Sequence, residues 1–132
     1  MMPLTEDRNT PLSASEVLVV DVAAGVRIFA GALVVATASG FAAPGHEAAG
    51  LAYIGRAEEQ VDNRDGGDGA KTIEVRHGKA FRWANDGSVT QAHLFRTAYI
   101  VDDETVAADD DNSGRSAAGQ IVSVDTDGVW VK

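Results

Sequence analysis

Two stretches carry residue types and spacings that could do chemistry: Asp65-Gly66-Gly67-Asp68-Gly69-Ala70-Lys71-Thr72 and Asp109-Asp110-Asp111-Asn112-Ser113-Gly114. The first has the outline of a phosphate loop, in which glycine amides surround phosphate oxygens and a lysine reaches them. That chemistry needs glycine where Asp65 and Ala70 stand, and a helix after Thr72. A strand pattern follows instead, so a flexible turn is expected. Gly66-Gly67-Asp68-Gly69 also matches the start of one calcium-binding β-helix repeat, but Lys71 stands where the repeat requires Asp. The second stretch places Asp109 and Asp111 as a calcium loop does. Its twelfth position is Gln120, which cannot supply a bidentate carboxylate, and no helices flank it. A solvated acidic loop is the expectation, with weak calcium binding as the alternative.

Other reactive types are scattered. His46, His77 and His93 lie far apart, and none belongs to a metal-ligand spacing. There is no G-x-S-x-G elbow to present a nucleophile. Glu58 and Glu59 are adjacent, so on a strand they point to opposite faces and form no carboxylate pair. No catalytic residue, cofactor or metal is expected, and the chain does not read as an enzyme. The rival hydrolase reading, with His77 or His93 beside a carboxylate, predicts a polar pocket around that histidine.

The totals narrow the function classes. At 132 residues the chain fits one domain, which at this size buries roughly 68–70% of its unfolded surface. Net charge is −9 and the pI about 4.6. Nucleic acid is a poor partner for such a chain, because phosphate binding needs a clustered positive surface. Cysteine is absent, which removes disulfides and thiolate zinc sites. The start, Met1-Met2-Pro3-Leu4-Thr5-Glu6-Asp7-Arg8, lacks the regions of a signal peptide. The uncharged stretch 28–45 approaches the ~20 residues that span a bilayer, but Gly31, Gly40, Pro44 and Gly45 interrupt it. Two buried strands explain it better, so no membrane partner and a soluble cytosolic product are expected.

The elements that must position these residues read as strands. Residues 1–15 are polar, contain Pro3 and Pro11, and show no periodicity: either a disordered start or an extended arm that orders on a partner. Residues 16–132 form the single β-rich domain. Val17-Leu18-Val19-Val20-Asp21-Val22 predicts a strand covered on both faces. Short strands follow at 26–29, 32–35, 41–44 and 51–57. Thr72-Ile73-Glu74-Val75-Arg76 alternates, placing Ile73 and Val75 inward. Ala80-Phe81-Arg82-Trp83 places Phe81 and Trp83 together, and a hairpin across His77-Gly78-Lys79 is predicted. Residues 89–95 predict one or two helical turns with Ser88 as N-cap, the sole helix. Asp127-Gly128 predicts a two-residue hairpin turn. Ile100, Val101, Val122, Val124, Val129 and Val131 are the expected core of the closing strands. The fold class is therefore all-β, with at most one short helix: a compact β-sandwich or barrel-like domain with an extended N-terminal arm.

One ordered set of segments goes further. It comprises Asp7-Arg8-Asn9-Thr10-Pro11, Gly55-Arg56-Ala57-Glu58-Glu59-Gln60-Val61-Asp62-Asn63 and Val75-Arg76-His77-Gly78-Lys79-Ala80-Phe81-Arg82-Trp83. It continues through Ala98-Tyr99-Ile100-Val101-Asp102-Asp103-Glu104-Thr105-Val106 and Arg115-Ser116-Ala117-Ala118-Gly119 to Val124-Asp125-Thr126-Asp127-Gly128-Val129-Trp130-Val131. In this order the segments resemble the capsid decoration (cement) proteins of tailed phages and Mu-like prophages. The resemblance implies a structural virion protein on the outer surface of the phage head. Such a protein is usually a homotrimer that clamps adjacent major capsid protein subunits. On this reading Asp7, Arg8, Asn9, Thr10 and Pro11 belong to a capsid-binding arm. Trp130, opposite Val129 and Val131 on a regular strand, is either a core residue or a trimer contact. The reading from another class is a calcium- or carbohydrate-binding β-sandwich surface module.

Overall fold

A computed structural model describes residues 2–13 and 16–132. The strand-forming runs become β1 (Val17–Asp21), β2 (Arg27–Ile28), β3 (Leu33–Ala36), β4 (Ala42–Pro44), β5 (Ala52–Ala57) and β6 (Val61–Asp62). They continue as β7 (Thr72–His77), β8 (Phe81–Asn85), β9 (Thr97–Ile100), β10 (Thr105–Ala107), β11 (Ala117–Asp125) and β12 (Gly128–Val131). Among the described residues the helical content is a single 3-10 turn, Gln91–His93. The chain is all-β.

The first half forms a five-stranded antiparallel sheet in the order β1-β7-β5-β3-β4, with β2 and β6 paired beside it. The second half closes into a small barrel, β10-β8-β12-β11-β9, shut by the β9–β10 pair. Four of its contacts are antiparallel and β10–β8 is parallel. Closure leaves the barrel strands no free edge.

Strand β3 joins the two halves. Side chains alternate across a strand, so Leu33 and Val35 enter the barrel-side core with Trp83, Ile100, Ile121, Val129 and Val131. Val34, between them, enters the second core with Val22, Ile28, Ile73 and Val75. Leu33, Val34 and Val35 are all fully buried. A continuous apolar run is the mark of such a two-sided strand. The backbone adds a direct tie, Leu33 N–H donating to the Asp103 carbonyl at 2.7 Å.

Several local expectations change. β1 is an edge strand with one partner, β7, and Leu18 and Val19 are 40% and 66% exposed. Its apolar run reflects β-branched strand preference, not cover on both faces. The chain at His77-Gly78-Lys79 is a corner, not a hairpin: β7 pairs with β1 and β5, while β8 crosses into the barrel to pair with β10 and β12. The helical turn starts at Thr90, not Ser88. The Ser88 hydroxyl instead donates to Asp86 and accepts from the Ala108 amide.

The final hairpin turns at Thr126-Asp127, one residue before the expected place, and Asp125 pairs with Gly128. Asp125 Oδ1 accepts from the amides of Asp127 and Gly128 at 2.8 and 3.0 Å, an aspartate-driven turn. Gly128 is needed for close approach, since a Cβ there would run into the Trp83 carbonyl oxygen. In β11 the register slips between Ile121 and Ser123. The extra residue of that bulge makes Ile121 the buried side chain, leaving Val122 and Val124 half-buried. Ile100, Val129 and Val131 are core as expected, and Val101 is half-buried.

Candidate docking surfaces

The corner at Gly78 brings three basic side chains to the seam between the two halves. Arg56 comes from β5, Lys79 from the corner itself and Arg82 from β8. With Gly31, Ala80, Phe81, Trp83 and Trp130 they line a cleft of about 530 Å³. The Arg56 guanidinium lies 4.9 Å from the Phe81 ring centre, and that of Arg82 lies 5.9 Å from the Trp130 ring centre. Both distances suit cation–π attraction, which also holds each guanidinium in a defined place. Trp130 is half-buried and belongs to neither core. The core place expected for it is therefore not the one it takes.

Carboxylates anchor two of the cations. Glu58 accepts from Arg56 at 2.8 Å and from Arg76 at 3.0 Å. Glu16 accepts from Lys79 at 2.7 Å and from Arg76 at 3.3 Å. The Lys79 and Arg56 bonds are the leading causes that hold the Glu16 and Glu58 carboxyls below their ordinary range. Arg82 makes no ion pair among the described residues, although its charge is one contribution to lowering Asp125, after the Asp127 amide and the Trp130 indole. Neither Glu16 nor Glu58 lines the cleft.

The acidic stretch faces solvent as expected, except that Asp110 is half-buried. Asp109, Asp111, Asn112, Ser113 and Gly114 are exposed, and Asp111, Asn112 and Ser113 hold φ of 48°, 57° and 69° in succession. Arg115 closes the base, its guanidinium donating to Asp109 at 3.2 Å and lying 3.8 Å from Glu47. Asp109 Oδ1 also accepts from the Asp111 amide at 3.1 Å. The two carboxylates aligned for calcium in the sequence are thus not both free. Among the described residues no group of three or more His, Cys, Asp or Glu could hold a metal.

The remaining candidates stay apart. His46 Nδ1 is 2.9 Å from the Pro44 carbonyl and His77 Nδ1 is 2.9 Å from that of Ile54, while His93 Nδ1 accepts from the Thr90 amide at 2.9 Å. The cavity beside His77 is lined by Tyr53, Ile54, Lys79, Phe81, Ala118 and Lys132, among others, and by no Asp or Glu side chain. Residues 65–71 form turns that lead into β7, a strand. The chemistry of that loop is structural. Asn63 is 1% exposed, and its amide donates to the carbonyls of Val22, Ala23 and Gly67 at 3.4, 2.8 and 3.0 Å.

Asp7, Arg8, Asn9, Thr10 and Pro11 lie in a segment, residues 2–13, in which every residue is exposed. It includes Met2, Leu4 and Leu12 at 85%, 73% and 92% exposure. The fold does not bring these residues to Trp130 or to each other as a site. Ala14 and Ser15, at the end of the expected arm, lie outside the described residues. Sequence reasoning missed two exposed aromatics, Phe29 at 49% and Phe95. Phe95 is 68% exposed with φ of 64°, a rare conformation for a bulky residue. Its amide donates to the Ile121 carbonyl at 2.7 Å and its carbonyl accepts from Gln120. No local sequence signal marks that strain, which β11 imposes from 25 residues away.

Compared with known proteins, the chain matches no family model, no curated protein and no solved structure.

Proposed function

We propose that this chain is a structural protein of a phage head. In this reading it binds the outer capsid surface as a homotrimer and clamps neighbouring major capsid protein subunits. The observation that carries the reading is the segment 2–13, which offers Leu4 and Leu12 to solvent beside Arg8 and Asn9. Apolar side chains on an exposed, extended segment gain free energy only when a partner covers them. Pro3 and Pro11 restrict the free segment and so reduce the entropy lost when it orders. Three linked arms raise avidity without new contacts.

The reading is supported by the ordered segments set out above and by a body in which Glu16, Glu58, Asp62 and Asp109 are held in ion pairs. Deletion of residues 1–12 tests it. The truncated chain should keep its β-type circular dichroism and its assembly state, yet fail to bind expanded heads stripped of decoration. Saturation of those heads by the truncated chain would overturn the arm as the clamp.

A further inference from the structure

The cleft at the seam asks for an acidic occupant. Its three charged lining residues are all cations, Arg56, Lys79 and Arg82, on a chain of net charge −9. Two of them have carboxylates behind them, and Arg82 has no ion pair among the described residues. Trp130 and Phe81 supply aromatic faces already engaged by guanidinium groups. Desolvated Arg and Trp are the residue types that dominate binding energy at interfaces.

The same chain carries a matching ligand. Asp109, Asp110 and Asp111 stand on the acidic loop, closed at its base by Arg115. The other acidic run, Asp102-Asp103-Glu104, is tied by its backbone to the seam of its own chain. Its Asp103 carbonyl is bound by Leu33 and its Glu104 carbonyl by Ala84. Gly31 lines both the cleft and the hollow beside Asp103 and Glu104, so that run flanks its own cleft. The loop 109–111, with Asp109 and Asp111 exposed and Asp110 half-buried, is the acidic run that does not flank that cleft.

We infer that the Arg56–Lys79–Arg82–Trp130 cleft receives the Asp109-Asp110-Asp111 loop of a second copy of this chain. A contact between two different patches is heterologous and closes into a ring when the rotation allows it. This inference rests on the homotrimer reading above and assigns its interface. Charge complementarity of this kind fixes register and speeds encounter, and salt screens it.

The test uses the full chain in sedimentation equilibrium at low salt, with circular dichroism as the folding control. Arg82→Glu and Asp110→Lys change side chains outside both cores, and Asp110, unlike Asp111, has no left-handed backbone to strain. Each single reversal should weaken assembly by about tenfold or more. The double reversal in one chain restores opposite charge between positions 82 and 110 at each interface and should recover part of the loss. Single variants that assemble like the parent overturn the inference, as does a double variant no better than either single. A parent that stays monomeric overturns both this inference and the trimer reading. If Arg82→Glu leaves assembly intact but abolishes binding to stripped heads, the occupant is an acidic capsid segment. The inference then fails while the decoration reading stands.

Discussion

The Trp83 indole N–H donates to the Tyr53 hydroxyl at 3.2 Å, and this bond crosses from the barrel to the five-stranded sheet. Trp83 is 4% exposed, and a buried indole needs a hydrogen-bond acceptor. Tyr53 supplies it from β5. Burial in turn pushes the Tyr53 hydroxyl from 10.0 up to about 12, with the Trp83 bond opposing the rise.

Tyr53 should therefore ionise near pH 12 in the folded protein. Its folded value lies above its unfolded one, so its contribution is fully present below pH 10 and is lost as pH rises toward 12. Absorbance titration at the phenolate band should show this late step, and Tyr53→Phe should remove it. The same substitution orphans the indole N–H and should cost about 1–3 kcal/mol in urea unfolding. Full stability in Tyr53→Phe would show that the bond does not join the halves.

Asn63 should prove more demanding than its loop position suggests. Asn63→Ala leaves buried carbonyls without their donor and should cost about 2–4 kcal/mol. Asn63→Asp should be worse at neutral pH, because a carboxylate would face the carbonyls of Val22, Ala23 and Gly67. Lowering the pH should narrow the gap as that carboxyl gains a proton. Equal urea midpoints for the two variants at neutral pH would contradict the assigned amide orientation.

Acid should destabilise the fold through a small set of carboxyls. Glu16, Glu58, Asp62 and Asp125 are all held below their ordinary values, first by Lys79, Arg56, Arg64 and the Asp127 amide respectively. Folded values below unfolded ones mean stability that is present above pH 4.5, the ordinary glutamate value, and lost as pH falls. The urea midpoint should be level above that point and decline below it. Glu58→Gln should flatten part of the decline. A pH-independent midpoint would refute the assignment.

Phe95 offers a change that should stabilise. Phe95→Gly removes the left-handed penalty from an exposed position and should raise stability by about 1 kcal/mol, whereas Phe95→Ala should not. A loss in Phe95→Gly similar to that in Phe95→Ala would mean that the ring, not the backbone, matters there.

How much of this was legible in the chain depends on range. Local alternation gave Ile73 and Val75 inward and Arg82 opposite Phe81 and Trp83, because side-chain direction has a period of two. The acidic loop was legible as a solvated tip, since charge runs face water. The corner at Gly78 was not, because glycine between two strands marks a turn and is silent on which sheet comes next. Coverage of β1 was misread for a similar reason: a strand run does not encode its neighbours. Burial of Ile121 in place of Val122 came from a bulge set by pairing with β12. The cleft itself combines residues 31, 56, 79–83 and 130, a grouping that exists only after the barrel closes.

Glu16 has a mechanical meaning. It is the first described residue after the exposed segment, and it is stapled to the corner by Lys79, by Arg76 and by the His77 amide donating to its carbonyl at 2.8 Å. Beyond it, β1 runs antiparallel to β7 through five registered pairs, from Val17 with Arg76 to Asp21 with Thr72. Tension along β1 would load that ladder in shear, so its bonds share the force instead of parting one at a time. Load arriving through the segment meets a staple first and a shear joint second.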